Sequence, residues 1–191
     1  MGVFMNEKVS TLSTLIRERR SIRDFKTDPI PLQDMVELLN DAVYAPNHGK
    51  REPWRFIAFE GKGKKKFADA VIDTYNAEQK ENKAAAMEKY YQDIPLHLLV
   101  VMPEDPRQKK WEEDICAVSA MIQNFQLLAW EKGIGVCWKT NAYNLDPIFR
   151  EAVGVQPGEK IVATLHIGYY EIVPKAKKRT SVEDKLVVIN D

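Results

Sequence analysis

Four arginines and one serine lie close together in the stretch RERRSIRDF, which spans residues 17–25. The group comprises Arg17, Arg19, Arg20, Ser21 and Arg23. Cations at the C-terminal end of a helix are stabilised by the helix dipole, so one interpretation is a solvated helix cap. The planar guanidinium group also matches a phosphate dianion, to which a serine hydroxyl can donate a further hydrogen bond. The stretch therefore predicts either a helix cap or a phosphate site.

A second basic cluster, KAKKRTS, spans residues 175–181 near the other end of the chain. It combines lysines and one arginine with hydroxyl side chains, as the first cluster does. The two clusters would have to meet in the folded chain to hold one phosphate group. Sequence spacing alone leaves this arrangement and two separate surface clusters both open.

The three histidines and the absent motifs limit the chemistry that side chains can supply. His97 and His166 lie within apolar stretches and are predicted to be core residues, whereas His48 lies in the loop APNHGKREP, where binding residues tend to occur. The sequence contains no nucleotide-binding glycine motif, paired carboxylates, metal-ligand cluster or activated nucleophile. We therefore predict no metal site and no acid–base catalyst, and we expect a cofactor to carry any difficult chemistry.

Length and charge narrow the class of protein. A chain of 191 residues predicts one domain, residues 1–191, with a sizeable core. Lys plus Arg and Asp plus Glu both number 28, and this zero net charge argues against a nucleic-acid partner. The absence of a secretory signal and of a long apolar run predicts a cytoplasmic protein without a membrane partner. Cys116 and Cys137 are predicted to be reduced core thiols.

Hydrophobic periodicity predicts a mixed set of helices and strands. Helices are predicted over residues 9–20, 32–44 and 111–132, with a short one in LDPIFREAVG. Strands are predicted in WRFIAFE, PLHLLVVM, GIGVCWKT and KIVATLHIGYY. The charged region 62–92 is interpreted as exposed helix and linker. Because helices and strands do not alternate strictly, we predict an α+β domain with helices packed around one sheet.

Four motifs carry a resemblance to a known family. RRSIRDF, APNHGKREPWRF, GIGVCWKT and LHIGYYEIVPKAKKRT occur in an order and spacing similar to the FMN-dependent nitroreductase family, and most resemble its short single-domain branch. The resemblance implies a three-layer sandwich whose central, mostly antiparallel sheet is flanked by helices. It also implies an intertwined homodimer with FMN bound in two clefts at the interface.

The resemblance assigns individual residues to the cofactor. Those expected to grip the ribityl phosphate and neighbouring polar atoms are Arg19, Arg20, Ser21, Lys177 and Arg179. Arg23 is expected near the pyrimidine edge of the flavin, where its charge would stabilise the reduced ring. Residues expected to flank the isoalloxazine ring are Trp138, Lys139 and Thr140. Residues expected to reach the flavin from the partner subunit are Tyr44, Pro46, Asn47 and His48.

The activity implied by the resemblance is an oxidoreductase that uses NADH or NADPH. Hydride would pass to the flavin, and a nitroaromatic, quinone or similar electron-poor acceptor would then occupy the same cleft, which implies ping-pong kinetics. Two alternatives stay open. The scaffold could carry other flavin chemistry, such as dehalogenation or dehydrogenation, or the chain could be a non-enzymatic dimeric module that binds anions or RNA through its basic clusters.

Overall fold

The computed structural model describes residues 11–190, which form an antiparallel sheet covered by helices. The α-helices in this part of the chain are α1 (Leu12–Glu18), α2 (Leu32–Ala42), α3 (Gly63–Asp73), α4 (Ala77–Asp93), α5 (Gln108–Glu131) and α6 (Pro147–Ala152). The strands are β1 (Arg55–Glu60), β2 (Leu96–Pro103), β3 (Ile134–Lys139) and β4 (Glu159–Tyr169). Short 3₁₀ turns occur at His48–Lys50 and Ala142–Leu145.

The sheet has the strand order β1-β2-β4-β3, and every neighbouring pair is antiparallel. Strands β2 and β4 lie in the centre, which agrees with their nearly continuous apolar sequences because both of their faces are covered. His97 and His166 lie opposite each other on these two strands and are both buried. The predicted α+β class and the predicted core position of both histidines are confirmed.

Helices cover both faces of the sheet. Alternate residues of β2 enter two separate cores, since Leu98 and Val100 pack with α2 and α5 while Leu99 and Val101 pack with α3 and α6. Each of these four side chains is buried. The arrangement is the predicted three-layer sandwich, and the dimer predicted with it stays a prediction.

Helix boundaries differ from the sequence prediction by a few residues. Helix α1 begins at Leu12, and the side chain of Thr11 before it accepts a hydrogen bond from the amide of Thr14. The predicted beginning of this helix, at position 9, lies outside the described residues. The backbone leaves the helical conformation at Arg19, with φ −53° and ψ 133°, so the helix ends before the predicted position 20. Helix α2 ends at Ala42, and α5 begins at Gln108.

The interpretation of region 62–92 as exposed helix and linker was partly wrong. Its first half is helix α3, whose side chain Phe67 is fully buried in the core. The charged residues around Phe67 lie on the outer face of α3 and hid this apolar stripe in the sequence. Its second half, α4, is largely exposed, as predicted, and begins with a capping box formed by Asn76 and Gln79.

The prediction for the two cysteines was correct for only one of them. Cys137 is buried in β3, whereas Cys116 is exposed on α5. Helix α5 is apolar around much of its circumference but packs with only one side against the sheet. Cys116 lies on the side of α5 that its own subunit leaves uncovered.

Among residues 11–190, no helix has the length and apolar composition needed to cross a membrane.

Candidate functional site

The segment after α1 runs along the outer edge of the sheet. Ser21 forms a parallel bridge with Val136 of β3, and the Ile22 amide donates a hydrogen bond of 3.2 Å to the Val136 carbonyl. The Ile22 side chain is buried, while Ser21 and Arg23 on either side of it are exposed. Because successive side chains of an extended segment point in opposite directions, Ser21 and Arg23 share the outward face.

Gly135 allows this segment to approach β3 closely. A Cβ atom built on Gly135 would lie 2.7 Å from Cγ1 and 2.8 Å from Cβ of Ile22, and 2.8 Å from Cδ1 of Tyr170. Carbon atoms in ordinary contact lie about 3.5–4.0 Å apart. The contact between Ile22 and β3 therefore requires glycine at position 135, and it fixes the outward direction of Ser21 and Arg23.

The two adjacent arginines have different structural roles. Nη1 of Arg20 donates hydrogen bonds to the carbonyl oxygens of Arg17 and Arg19, at 2.6 and 2.8 Å, and so closes the end of α1. Arg19 turns towards α5, where its Nη1 lies 3.5 Å from Oε1 of Gln126. The Nε atoms of both arginines are buried without a hydrogen-bond partner in the described chain. The helix-cap interpretation thus applies to Arg20 and leaves Arg19 with unused donors.

Arg19 lies in a positive environment. Its pKa is lowered because the side chain is partly buried and because Arg20 and Arg179 add positive charge. The structure therefore brings Arg179 of the C-terminal basic cluster close to Arg19, and Lys177 lies two residues before it. Within residues 11–190, none of these three arginines forms an ion pair with a carboxylate. A dianionic phosphate group fits this donor set, because it would offset the charge and accept the unused hydrogen bonds.

The C-terminal end of β3 lies beside a cavity. Trp138 and Lys139 are partly buried and Thr140 is exposed, and the indole Nε1 of Trp138 is buried without a partner among the described residues. A cavity of about 620 Å³ opens beside Lys139, between α4 and the turn that follows β3. Its lining includes Tyr90, Tyr91, Asn141, Tyr143 and His166.

The titratable groups at the floor of the cavity are neutral at physiological pH. Burial, followed by the proximity of His97 and Lys139, lowers the pKa of His166 to about 2. His97 lies behind His166, with ring centroids 4.9 Å apart, and does not line the cavity; burial lowers its pKa to about 4, although its Nε2 lies 2.8 Å from the carbonyl oxygen of Tyr91. The same desolvation raises the pKa of Tyr143 to about 12 and raises that of Tyr91. The cavity floor therefore presents uncharged phenol and imidazole groups.

The loop predicted to reach a partner subunit is held rigidly at the other end of α5. Nε and Nη2 of Arg51 donate hydrogen bonds to Oδ1 of the buried Asp114 at 2.9 and 2.7 Å, and Nη2 also donates to Glu113. The hydrogen bond from Arg51 lowers the pKa of the Glu113 carboxyl, and His48 acts in the same direction. Lys50 has a left-handed φ of 51°, which indicates backbone strain in this loop.

Within one chain, Arg51 of this loop and Arg19 of the arginine cluster contact α5 at different positions. Arg51 contacts α5 at Asp114, and Arg19 contacts it at Gln126. These two positions are twelve residues apart, which corresponds to about 18 Å along the helix. Tyr44 is 88% exposed, and Pro46 and His48 are also exposed, while Asn47 is partly buried and accepts a hydrogen bond from the Glu52 amide. Three of these four side chains are therefore exposed in their own subunit and available to contact a partner subunit.

Comparison with known proteins identifies the family. The model of the Nitroreductase family matches residues 16–169. The chain belongs to the nitroreductase family. A Bacillus subtilis (strain 168) relative named "Putative NAD(P)H nitroreductase YfhC" is 40% identical over 183 residues, which cover 92% of this chain and 93% of the relative. A nitroreductase-like family protein from Bacillus cereus has a solved structure with 41% identity and a TM-score of 0.91, covering 94% of this chain and 96% of that one.

A more distant solved structure shares the nitroreductase fold. It is a mutant of an FMN- and NADPH-dependent nitroreductase, NfnB, derived from Sphigopyxis sp. strain HMH. Its TM-score is 0.71 at 17% identity, with 93% of this chain and 98% of that chain covered. Family membership confirms the predicted fold and the prediction of an oxidoreductase enzyme. The cofactors named for these relatives, FMN and NAD(P)H, agree with those that the sequence predicted.

The sequence prediction missed the cavity beside Lys139. Tyr90 and Tyr91 lie in a region that was interpreted as solvated. Tyr143 and His166 lie far from these tyrosines in the sequence. The adjacent tyrosines at the end of the charged run were the available signal, because aromatic pairs are uncommon on a purely solvated face. The individual assignments of residues to FMN stay predictions.

Proposed function

We propose that this member of the nitroreductase family binds FMN between two subunits and uses NADH or NADPH to reduce electron-poor planar acceptors, such as nitroaromatics or quinones. The observation that carries the proposal is the cluster of Arg19, Arg20 and Arg179, whose positive charge has no carboxylate partner in residues 11–190. FMN ends in a phosphate dianion that would provide the missing partner. When bound, this cofactor supplies hydride chemistry that amino-acid side chains lack.

The residues beside β3 are suited to orient the rest of the cofactor. Ser21 and Arg23 share the outward face and lie two residues apart, about 7 Å along an extended segment. A phosphate held by Arg19 and Ser21 would leave Arg23 further along the edge of β3, towards Trp138. A cation at this position favours an electron-rich ring, so we assign Arg23 to electrostatic stabilisation of the reduced cofactor.

The second half of each site is proposed to come from a partner subunit. Tyr44 and His48 are exposed in their own subunit, and Arg51 of the same loop contacts α5 about 18 Å along the helix from the position that Arg19 contacts. The C-terminal segment also exposes apolar side chains, among them Ile172, Val187 and Ile189. Apolar surface of this extent favours burial against another chain. A two-fold dimer would bury it and would bring each loop to the partner's arginine cluster.

The assignment of Arg19 can be tested by FMN binding. We expect purified protein to be yellow or to take up added FMN, and Arg19→Ala to raise the FMN dissociation constant about 10- to 150-fold, the range for loss of a charged hydrogen bond worth about 1.5–3 kcal/mol. The exposed Arg17 lies two residues earlier, in the last turn of α1, so Arg17→Ala is the matched control and should change the constant little. Equal effects of both substitutions would contradict the phosphate assignment. A colourless protein that retains RNA at low salt would instead favour the binding-module alternative.

Complementation between subunits tests whether each site is shared. Arg19→Ala and His48→Ala should each weaken FMN binding in homodimers. A mixed dimer of the two variants would have one site with both substitutions and one site with neither. Refolding an equimolar mixture should yield about half mixed dimers, and about a quarter of the wild-type sites should be restored. Verified subunit exchange without any recovery of FMN binding would show that both residues act in the same chain's site.

A further inference from the structure

Two buried polar side chains connect the turn after β3 to the centre of the sheet. Asn144, in the 3₁₀ turn Ala142–Leu145, and Thr164, in the central strand β4, are both buried. The Thr164 hydroxyl donates a hydrogen bond of 2.8 Å to Oδ1 of Asn144. Nδ2 of Asn144 lies 3.5 Å from the carbonyl oxygen of Lys139, which is the last residue of β3. Asn144 therefore bridges β4 and the end of β3.

The surroundings of this polar pair are apolar. Thr164 lies opposite Leu99 of β2, and residues paired in this way point to the same face of a sheet. Leu99 belongs to the core on the side of α3 and α6, where the ring centroid of Tyr143 lies 4.6 Å from that of Phe149. A valine would fill position 164 with nearly the same shape and would need no hydrogen-bond partner. The hydroxyl of Thr164 therefore adds a directed contact that packing alone would not provide.

The turn itself is closed by its own hydrogen bonds. The amide of Asn144 donates to the carbonyl of Asn141, and the amide of Asp146 donates to the carbonyl of Tyr143, each at 3.0 Å. Nδ2 of Asn141 also donates a hydrogen bond of 2.9 Å to the phenol of Tyr143. The turn is thus a compact unit, and the side chain of Asn144 attaches it to β4 through Thr164.

We propose that Asn144 and Thr164 are positioning residues that orient the C-terminal end of β3 for the flavin ring. The inference rests on the proposed function, in which Trp138, Lys139 and Thr140 flank the ring. Lys139 lies opposite Thr164 in the register of β3 and β4, so displacement of the turn would move the backbone that carries all three flanking residues. Asn144 and Thr164 act through this backbone and do not themselves contact the cofactor.

A set of variants separates positioning from stability. Thr164→Val leaves Oδ1 of Asn144 buried without its donor, whereas Thr164→Ser keeps the hydroxyl. The double variant Thr164→Val/Asn144→Leu replaces both polar groups by apolar groups of similar shape, a change that can be nearly neutral for stability. Val101→Ala is the control, because it leaves a cavity in the same core but does not alter the polar pair. If Thr164→Val does not fold, the double variant decides the question.

Hydrogen exchange of the FMN-free protein tests the attachment of the turn. We expect the amides of Asn144 and Asp146 to exchange about 5- to 150-fold faster in Thr164→Val than in the wild type, the equivalent of about 1–3 kcal/mol for an unpaired buried acceptor. The double variant should also exchange faster at these amides, whereas Thr164→Ser should resemble the wild type. The Val101→Ala control should leave these two amides less affected than Thr164→Val does. Wild-type exchange in both Thr164→Val and the double variant would overturn the proposal.

The bound flavin tests whether this attachment orients the cofactor. The phosphate site at Arg19 is unchanged in these variants, so spectra can be compared at saturating FMN. We expect the visible circular dichroism of bound FMN, which reports the asymmetric surroundings of the ring, to weaken in Thr164→Val and in the double variant. It should keep its wild-type shape in Thr164→Ser and Val101→Ala.

The double variant distinguishes the two explanations. If the polar pair served stability alone, a double variant with the wild-type melting temperature would also have the wild-type flavin spectrum, and that result would overturn the proposal. A changed flavin spectrum at the wild-type melting temperature supports it. Wild-type protein that fails to bind FMN would refute the proposed function and this role together, whereas normal FMN binding with identical spectra in all variants would refute only the positioning role.

Discussion

Replacement of Gly135 by alanine tests the contact that directs the segment proposed to bind the FMN phosphate. The new Cβ would lie 2.8 Å from Cβ of Ile22, an atom next to the backbone that a change of rotamer cannot move away. It would also lie 2.8 Å from the ring of Tyr170, which is stacked on Trp130 with a centroid separation of 5.2 Å. Relief of the clash therefore requires the segment around Ile22 to move off β3.

The expected magnitude follows from the cost of overpacking. Added carbon atoms in a packed interior cost about 1–3 kcal/mol. For a chain of about this length, each kcal/mol lowers the melting temperature by about 2–4 °C, so Gly135→Ala should lower it by about 2–12 °C. Since Ser21 and Arg23 flank Ile22, the same shift should also weaken FMN binding. Both effects are measured on purified protein, by thermal unfolding without FMN and by titration with FMN.

A second glycine provides the control. Gly63 begins α3, and a Cβ atom there would have no neighbour within 4 Å. Gly63→Ala should therefore keep FMN affinity and should leave stability unchanged or raise it by up to about 1 kcal/mol, because alanine favours a helix. The reasoning would be refuted if Gly135→Ala had the melting temperature and FMN affinity of the wild type, since the segment could then not depend on close contact with β3.

Three further predictions concern stability and the loop near α5. The pKa values of His97 and His166 in the folded chain lie below the ordinary 6.5, so the unfolded chain takes up protons first as the pH falls. The free energy of unfolding should therefore fall below pH 6.5 by about 1.4 kcal/mol per pH unit for each histidine. Urea titrations at pH 5–7 measure this free energy, and a profile that does not change with pH would contradict the prediction. Asn76→Ala removes the capping box of α4 and should lower the same free energy by about 1 kcal/mol, whereas no loss would show that α4 does not depend on its cap. Arg51→Met should release the loop from Asp114 and raise the FMN dissociation constant more than Lys50→Met does. Equal effects of the two substitutions would exclude a role of Arg51 in positioning the loop.

The sheet was predictable because its signal is local. The central strands β2 and β4 are nearly continuous apolar stretches, and the glycine before β3 marks the beginning of that strand. Helix α3 was not recognised because four lysines between residues 62 and 66 mask the buried residues Phe67, Ala68, Ala70 and Val71 in a sequence average. Cys116 was misjudged because composition does not reveal which side of an apolar helix its own sheet covers.

The candidate site was predictable only where a motif is contiguous. The stretch from Arg19 to Arg23 could be recognised as a possible phosphate site, but its proximity to Arg179 depends on the path of the 155 residues between them. The cavity was not predictable, since its lining comes from α4, β4 and the turn after β3, and none of these has a distinctive motif. The hydrogen bonds that His166 lacks depend on tertiary packing and leave no trace in sequence periodicity.

The separation of the two contact points on α5 has a consequence for the order of assembly. In the proposed dimer, the loop held at Asp114 and the arginine directed to Gln126 belong to different cofactor sites, and a continuous helix keeps them about 18 Å apart. A newly synthesised chain then holds two half-sites and no complete one. Stable cofactor binding would have to follow the encounter of two chains. Its rate at low concentration would therefore rise with the square of the chain concentration. Dilution would release the cofactor and separate the subunits together.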